Sequence, residues 1–511
     1  MLFSKLYETG LKYYSKNAII SNKRTLIYGD LLLEVDKFSK ELEAKSIKQN
    51  ARIGILSNNS IEYLIAFYAI AKIGAIAVPI DVRFTKSEIQ RMDSLFEIEY
   101  YVYSQENHKL IIQEILGEKF DDNTVYLIYK ENIHKLNDEE LRKQISDIEH
   151  TKIYSEDYLI QYTSGSTGVP KGILHTQKSL MQIFYNWTDT VCVEPEDEYL
   201  CSYVLSSAHA TDIFILPALF TGGTLHIMDI EKVYPRYVAQ YIFENKITFY
   251  TSLDYFYRLL IEEDDVKSEM LQSLRHVYSG SSPLGEEVGE AFFRKFNKKL
   301  RNIYGMAEVG PSHVNMHNQE GVKYSSIGQT LKNMESKIVD ENNNEVGIGV
   351  VGEVLLKSES KAKGYFKNKG ETEKVFKSDG WVYTKDMGYK DSQGNYHIVG
   401  RLSQFINVGG NKVSVDEVES VLNNYEHIKE AAVIGIDKNT PNERIVGFIV
   451  PYEGKEINIV DLRVYCSKHL TKYKRCSELV VLDKLPRGEI GKLLKTKLIE
   501  IYESNKSNTL S

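Results

Sequence analysis

Between Tyr63 and Ile80 the chain reads "YLIAFYAIAKIGAIAVPI", an apolar stretch long enough to be mistaken for a membrane span. Its punctuation argues otherwise. Lys72 interrupts it, Gly74 ends a helix, and Pro79 follows shortly after. The stretch reads as a buried helix that stops at glycine and leads into a buried strand. The same alternation surrounds it. "DLLLEVDKFSKELEAK" has helical period, and "ARIGIL" and "AIAVPI" are short apolar strands on either side of "SIEYLIAFYAIAKIG". The pattern recurs in "YLCSYVLSS", "GGTLHIMD", "YPRYVAQYIFENK" and "ITFYTS". Repeated strand–helix–strand units predict an α/β fold with mostly parallel sheets.

From about Gly328 the pattern becomes rich in turns and strands, with "NNN" and "SQGN" as hairpin connections. After Gly400 a smaller unit begins with strand–turn–helix, "QFINVGGNKVSVDEVESVLNNY". A chain of 511 residues exceeds one ordinary core. The expected architecture is a large N-terminal domain, 1–400, of mixed α/β sheets plus a β-rich part, and a small hinged α+β domain, 401–511. The polar tail "YESNKSNTLS" reads as disordered. A formal net charge of -8, from 63 basic and 71 acidic residues, argues against general nucleic-acid binding. Cys192, Cys201, Cys466 and Cys476 form no C-x-x-C pair, so neither a zinc site nor a disulfide framework is signalled. Reduced thiols, no membrane span and an N-terminus without a secretory apolar core point to the cytoplasm.

The chemistry concentrates in "QYTSGSTGVPKG", Gln161–Gly172. Thr163, Ser164, Gly165, Ser166, Thr167 and Gly168 follow a strand, "DYLIQYT", and offer hydroxyls and unobstructed backbone N–H groups. Such a row suits phosphate oxygens, and Lys171 adds a point charge. The spacing is neither Walker A nor G-x-G-x-x-G. On its own such a cluster is more often a loop than a site.

The full string "YTSGSTGVPKG" resembles the signature of the adenylate-forming superfamily, which includes acyl-CoA synthetases, non-ribosomal peptide adenylation domains and firefly luciferase. Further motifs follow in order over nearly the whole chain. "NIYGMAEVG", "WVYTKDMG", "GRLSQFINVGGNKVSVDEVE" and "LPRGEIGKLLK" each resemble a family segment. The resemblance implies that Thr163–Gly168 and Lys171 handle the β- and γ-phosphates of ATP. It implies that Tyr304 stacks on adenine within the nucleotide-binding run Tyr304–Gly305–Met306–Ala307. Glu308 and Thr167 become the contacts to Mg2+, and Asp386 and Arg401 the ribose or phosphate contacts. Ser403 stands at the hinge, Gly409 and Gly410 allow a thiol-bearing arm to approach, and Lys492 is the catalytic lysine. Ala307, Lys385 and Ser403 depart from the usual Thr, Gly and Asp or Lys.

Within "SSAHATDIFILPALFTGGT", His209 falls where amino-acid-activating relatives carry Asp, as it does in acyl- and aryl-CoA synthetases. That favours acids without an α-amine. Asp212, three residues on, is in range of the same pocket. Gly280, Ser281 and Ser282 resemble a glycine-rich wall between acid and adenine. The implied activity is ATP-dependent formation of acyl-AMP with release of pyrophosphate, catalysed with Lys171, His209 and Lys492. Transfer to the thiol of CoA follows after the small domain rotates. A phosphopantetheine arm on a separate carrier protein is the alternative acceptor, and a non-catalytic ligand-binding relative the alternative class.

Overall fold

The structure is a computed structural model that describes residues 1–21, 24–121, 125–127, 137–150, 156–163, 171–401, 405–408, 411–437, 443–470, 472–487 and 493–508. The apolar run folds as its punctuation predicts. Ser60 caps the helix Ile61–Ile73 by accepting the Tyr63 N–H, and every helical residue except Lys72 is buried. Gly74, at φ 72°, closes the helix by donating to the carbonyls of Ala71 and Ile70. The fully buried strand Ile76–Ile80 follows. Lys72 is the exception because its ammonium pairs with Asp36 and lies 5.0 Å over the Phe3 ring. Among the described residues no helix is long and apolar enough to cross a membrane.

By its contacts the chain divides into two units, 1–337 with 355–384 and 393–396, and 338–354 with 385–392 and 397–511. The first unit holds two large sheets. One has the strand order Gly364–Tyr365, Lys171–Thr176, Asp157–Thr163, Ile76–Ile80, Arg52–Leu56, Tyr100–Tyr103, Val125–Leu127. Its inner strands are parallel, with Ile53 opposite both Ala77 and Tyr100. Asp157–Thr163 and Lys171–Thr176 form an antiparallel hairpin that sets Thr163 opposite Lys171. The other sheet has nine strands and includes the parallel set Thr224–Ile227, Glu198–Cys201, Phe249–Ser252, His276–Ser279 and Arg301–Met306. One core joins the sheets, with Ile53, Ile55 and Leu159 from the first and Ile19, Tyr199 and Leu225 from the second. The β-rich part is a four-stranded sheet of Glu335–Val339, Gly352–Lys357, Trp381–Lys390 and Tyr396–Arg401. Both expected connections fall between strands of this sheet, with Asp340 accepting from Asn342 and Asn344 in one and Gly394 at φ 86° in the other.

The second unit carries a three-stranded sheet, Ile428–Ile436, Arg444–Pro451 and Glu478–Val481, and the hairpin Phe405–Val408 with Asn411–Ser414. Helices Val415–Asn423 and Ile459–His469 complete it, with Val418, Leu422, Leu462 and Cys466 in its core. The expectation of disorder is corrected over Tyr502–Asn508, while Thr509, Leu510 and Ser511 lie outside the described residues. Lys495–Asn508 is a helix that buries Leu498 and Tyr502, and the Tyr502 hydroxyl donates to Glu478 Oε1 at 2.7 Å. Leu498 and Tyr502, one turn apart, anchor the helix, and Ile499 and Ile501 pack partly buried against the same cluster.

Candidate active site

The strand Lys171–Thr176 delivers Lys171 to a chain of contacts absent from any linear motif. Lys171 Nζ lies 2.5 Å from Glu371 Oε2 and 5.4 Å from the centre of the Tyr365 ring. Lys374 meets the other Glu371 oxygen at 2.6 Å. Hydrogen bonds from the two lysines hold the Glu371 carboxyl down at about 2. The Tyr365 hydroxyl donates to Glu308 Oε1 at 2.7 Å, and both side chains are buried. Sequence reasoning named Lys171 and Glu308 and missed Tyr365 and Glu371. The strand Gly364–Tyr365 brings them in by pairing Tyr365 with Ile173, a long-range contact. Ser164, Gly165, Ser166, Thr167 and Gly168 lie outside the described residues, as do Ser403, Gly409, Gly410 and Lys492.

Tyr304 to Ala307 run along the end of the strand Arg301–Met306 and beyond it, with a bulge between Tyr304 and Gly305. A Cβ on Gly305 would fall 2.5 Å from the Gly310 carbonyl oxygen, so the backbone approach itself requires glycine there. His175 Nε2 donates to the Ala307 carbonyl at 2.7 Å and fixes that peptide from behind. Burial pushes the His175 ring down to about 4.

A cavity of about 140 Å³ opens against this segment, walled by His209, Asp212, Ser281, Gly305, Met306 and Ala307 among others. His209 and the segment Gly305, Met306 and Ala307 therefore share one space. His209 Nε2 lies 3.2 Å from Thr251 Oγ1, Nδ1 lies 3.4 Å from Ser281 Oγ, and the ring packs 4.3 Å from that of Tyr203. The ring keeps some exposure to the cavity, yet lost hydration pushes it down to about 4 and leaves it neutral near pH 7. Gly280 borders His209, since a Cβ there would fall 3.0 Å from His209 Cε1. Ser281 takes the left-handed backbone, φ 64°, a strained conformation for serine at the cavity wall. Asp212 sits in a π-helical turn, Thr211–Ile215, is 4% exposed, and burial lifts its carboxyl to about 8.

A larger cavity, about 510 Å³, lies beside Asp81, Arg83, Ser104 and Ser206. Its arginines are already paired, Arg83 with Asp81 at 2.6 Å and Arg24 with Glu34, so neither offers an uncompensated charge to a ligand. In the second unit Arg401 Nε lies 2.9 Å from Asp386 Oδ1, so the two expected ribose contacts meet each other. Lys385 adopts φ 62° and its N–H donates to Glu353 Oε1 at 2.9 Å. The lysine thus holds the left-handed backbone that glycine, usual at this point of the motif, adopts most easily.

The two joined sheets and the small C-terminal unit have the fold of the adenylate-forming superfamily. The chain belongs to the AMP-binding enzyme family: the AMP-binding enzyme model matches residues 6–366, and the AMP-binding enzyme C-terminal domain model matches 417–492. It is 27% identical over 502 residues to a crotonobetaine/carnitine–CoA ligase of Proteus mirabilis (strain HI4320), covering 95% of this chain and 96% of that protein. It is 27% identical over 512 residues to 4-coumarate:CoA ligase 1 of Petunia hybrida, covering 97% and 93%. The crystal structure of ATP-bound MatB from Rhodopseudomonas palustris superposes with a TM-score of 0.84 at 22% identity, covering 98% of each chain.

Proposed function

We propose that this protein is an AMP-forming acid–thiol ligase that activates a small carboxylic acid with ATP and passes the acyl group to the thiol of CoA. The observation that carries the reading is the shared cavity, in which His209 and Ser281 face the same space as Gly305, Met306 and Ala307. An acid held there would lie next to a nucleotide held by the Tyr304 run, as in-line attack on an α-phosphate requires. CoA is favoured as acceptor because the Proteus and Petunia relatives, both CoA ligases, match this chain along nearly its whole length.

In the first step a carboxylate oxygen of the acid bonds to the α-phosphorus and the bond to the bridging oxygen of pyrophosphate breaks. Lys171 exchanges Glu371 for phosphate oxygens and offsets their charge. Thr163, Ser164 and Thr167 align those oxygens, and Tyr304 presents a flat face to adenine. Glu308 fits a magnesium ion shared with phosphates. Its carboxylate is buried, one oxygen is oriented by Tyr365, and among the described residues no cluster of three or more His, Cys, Asp or Glu forms a self-sufficient cage. The ion would supply charge neutralisation on the phosphates. In the second step the thiolate sulfur attacks the acyl carbon and AMP leaves. The domain division at 400/401, the hinge at Ser403, the approach at Gly410 and the withdrawal of Lys492 rest on the motif match, and the ribose roles of Asp386 and Arg401 rest on it too.

The test is acid-dependent exchange of labelled pyrophosphate into ATP across pools of fatty, aromatic, hydroxy and amino acids, with Lys492→Ala as control. Exchange with one pool, lost in the variant, is the expected result. Silence with every pool while ATP still binds would sink the reading.

A further inference from the structure

Resting on that reading, we propose that Asp212 selects the acid: the substrate carries a hydrogen-bond donor, an ammonium or a hydroxyl, on a carbon away from the reacting carboxylate. Asp212 lines the acid cavity and is 4% exposed. Among the described residues no hydrogen-bond partner reaches its Oδ1. Buried carboxyl oxygens are nearly always satisfied, and leaving one unmet is among the costlier arrangements in a protein interior. Besides Asp212, the polar side chains that line this cavity are those of His209 and Ser281. The mechanism assigned above does not use Asp212. A ligand that brings its own donor would supply the missing partner.

The reacting carboxylate is a poor candidate for that partner. Burial lifts Asp212 to about 8, so near pH 7 it is largely protonated. A reacting carboxylate that accepted its O–H would be a weaker nucleophile, whereas a ligand ammonium would draw Asp212 back to its ionised form. The neutral His209 and the Ser281 hydroxyl, 3.4 Å apart, are the polar groups on the same wall that can face a carboxylate. A quaternary ammonium has no N–H or O–H and would leave Oδ1 unmet. Size sets a further limit. A cavity of about 140 Å³ is close to the roughly 150 Å³ that accommodates benzene. The predicted substrate class is therefore a compact aliphatic or aromatic acid with one amino or hydroxyl substituent.

Two matched series test this. The aliphatic series is 4-aminobutanoate, 4-hydroxybutanoate and pentanoate. The aromatic series is 3-aminobenzoate, 3-hydroxybenzoate and 3-methylbenzoate. Each acid is measured by pyrophosphate exchange and by calorimetric binding to the full chain with a non-hydrolysable ATP analogue. We expect one donor-bearing member to exceed its methyl counterpart by tenfold or more in both readouts, because a polar site rejects an analogue that leaves its buried group unpaired. The ammonium and hydroxyl arms say which donor it is. Asp212→Leu should invert the preference toward the methyl acid, while Asp212→Asn should keep hydroxyl acids and lose ammonium acids, with ATP affinity unchanged in both. Equal binding within every series, or a preference that survives Asp212→Leu, overturns the proposal. Discriminating binding without exchange would support the Asp212 assignment and overturn the ligase reading, so the two failures are distinct.

Discussion

Lys171 Nζ is held 2.5 Å from Glu371 Oε2, so the lysine proposed to meet ATP phosphate is already countered by a carboxylate. On that proposal phosphate and Glu371 compete for one ammonium. Both side chains are 23% exposed, which keeps the pair within the modest range of partly screened ion pairs, about 1 kcal/mol or less. Glu371→Gln should therefore tighten ATP binding about two- to fivefold at low ionic strength, with the gain shrinking as salt rises. Calorimetric titration at two salt concentrations reads this directly. Weaker ATP binding in the variant would mean that Glu371 orients Lys171 for phosphate instead of competing with it.

The Tyr365 hydroxyl bridges the same lysine neighbourhood to Glu308, donating to Oε1 at 2.7 Å. Partners behind a metal-binding carboxylate commonly change metal affinity about 10- to 100-fold. Tyr365→Phe should raise the magnesium concentration needed for half-maximal pyrophosphate exchange about tenfold, with the acid KM unchanged. A variant with wild-type magnesium dependence would remove Glu308 from the metal role or Tyr365 from its support.

Much of this site could be read from the chain because its parts lie in short contiguous strings. The glycine and hydroxyl loop, the Tyr304 run and the His209 segment each carry their chemistry within a few residues. Asp212 was in range because it lies one turn from His209, and the cavity they share bears that placing out. Tyr365 and Glu371 were not legible. They reach Lys171 through the pairing of Tyr365 with Ile173, and no local pattern announces a pairing across so much sequence. The α/β class followed from periodicity, and the buried helix and strand of the apolar run followed from Gly74. The C-terminal helix was missed for a different reason. The polar stretch begins at Tyr502, and the apolar residues that anchor its helix, Leu498, Ile499 and Ile501, lie just before it.

Lys385 occupies a left-handed backbone, φ 62°, which costs a side-chain-bearing residue roughly 1–2 kcal/mol. Glycine relieves that strain but loses more chain entropy on folding, about 0.5–1 kcal/mol. Lys385→Gly should thus stabilise the protein by about 0.5–1 kcal/mol, while Lys385→Ala, which keeps the Cβ, should gain nothing. Urea midpoints of the two variants against wild type separate the cases. Equal gains in both would place the cost in the lysine's charge and not in its backbone.

His175 links stability to pH. Its ring is buried, donates through Nε2 to the Ala307 carbonyl at 2.7 Å, and is pushed by burial from 6.5 down to about 4. A base whose folded value lies below its unfolded value binds fewer protons folded than unfolded between those two limits. Stability is therefore full above about pH 6.5 and declines as pH falls toward 4. At pH 5 the loss from such a group is on the order of 2 kcal/mol. His209 shifts in the same direction for the same reason and steepens the decline. His175→Gln retains an N–H donor for the Ala307 carbonyl and removes the titration, so its urea midpoint should fall less than that of wild type between pH 7 and 5. Parallel declines in the two proteins would show that His175 does not govern the acid limb.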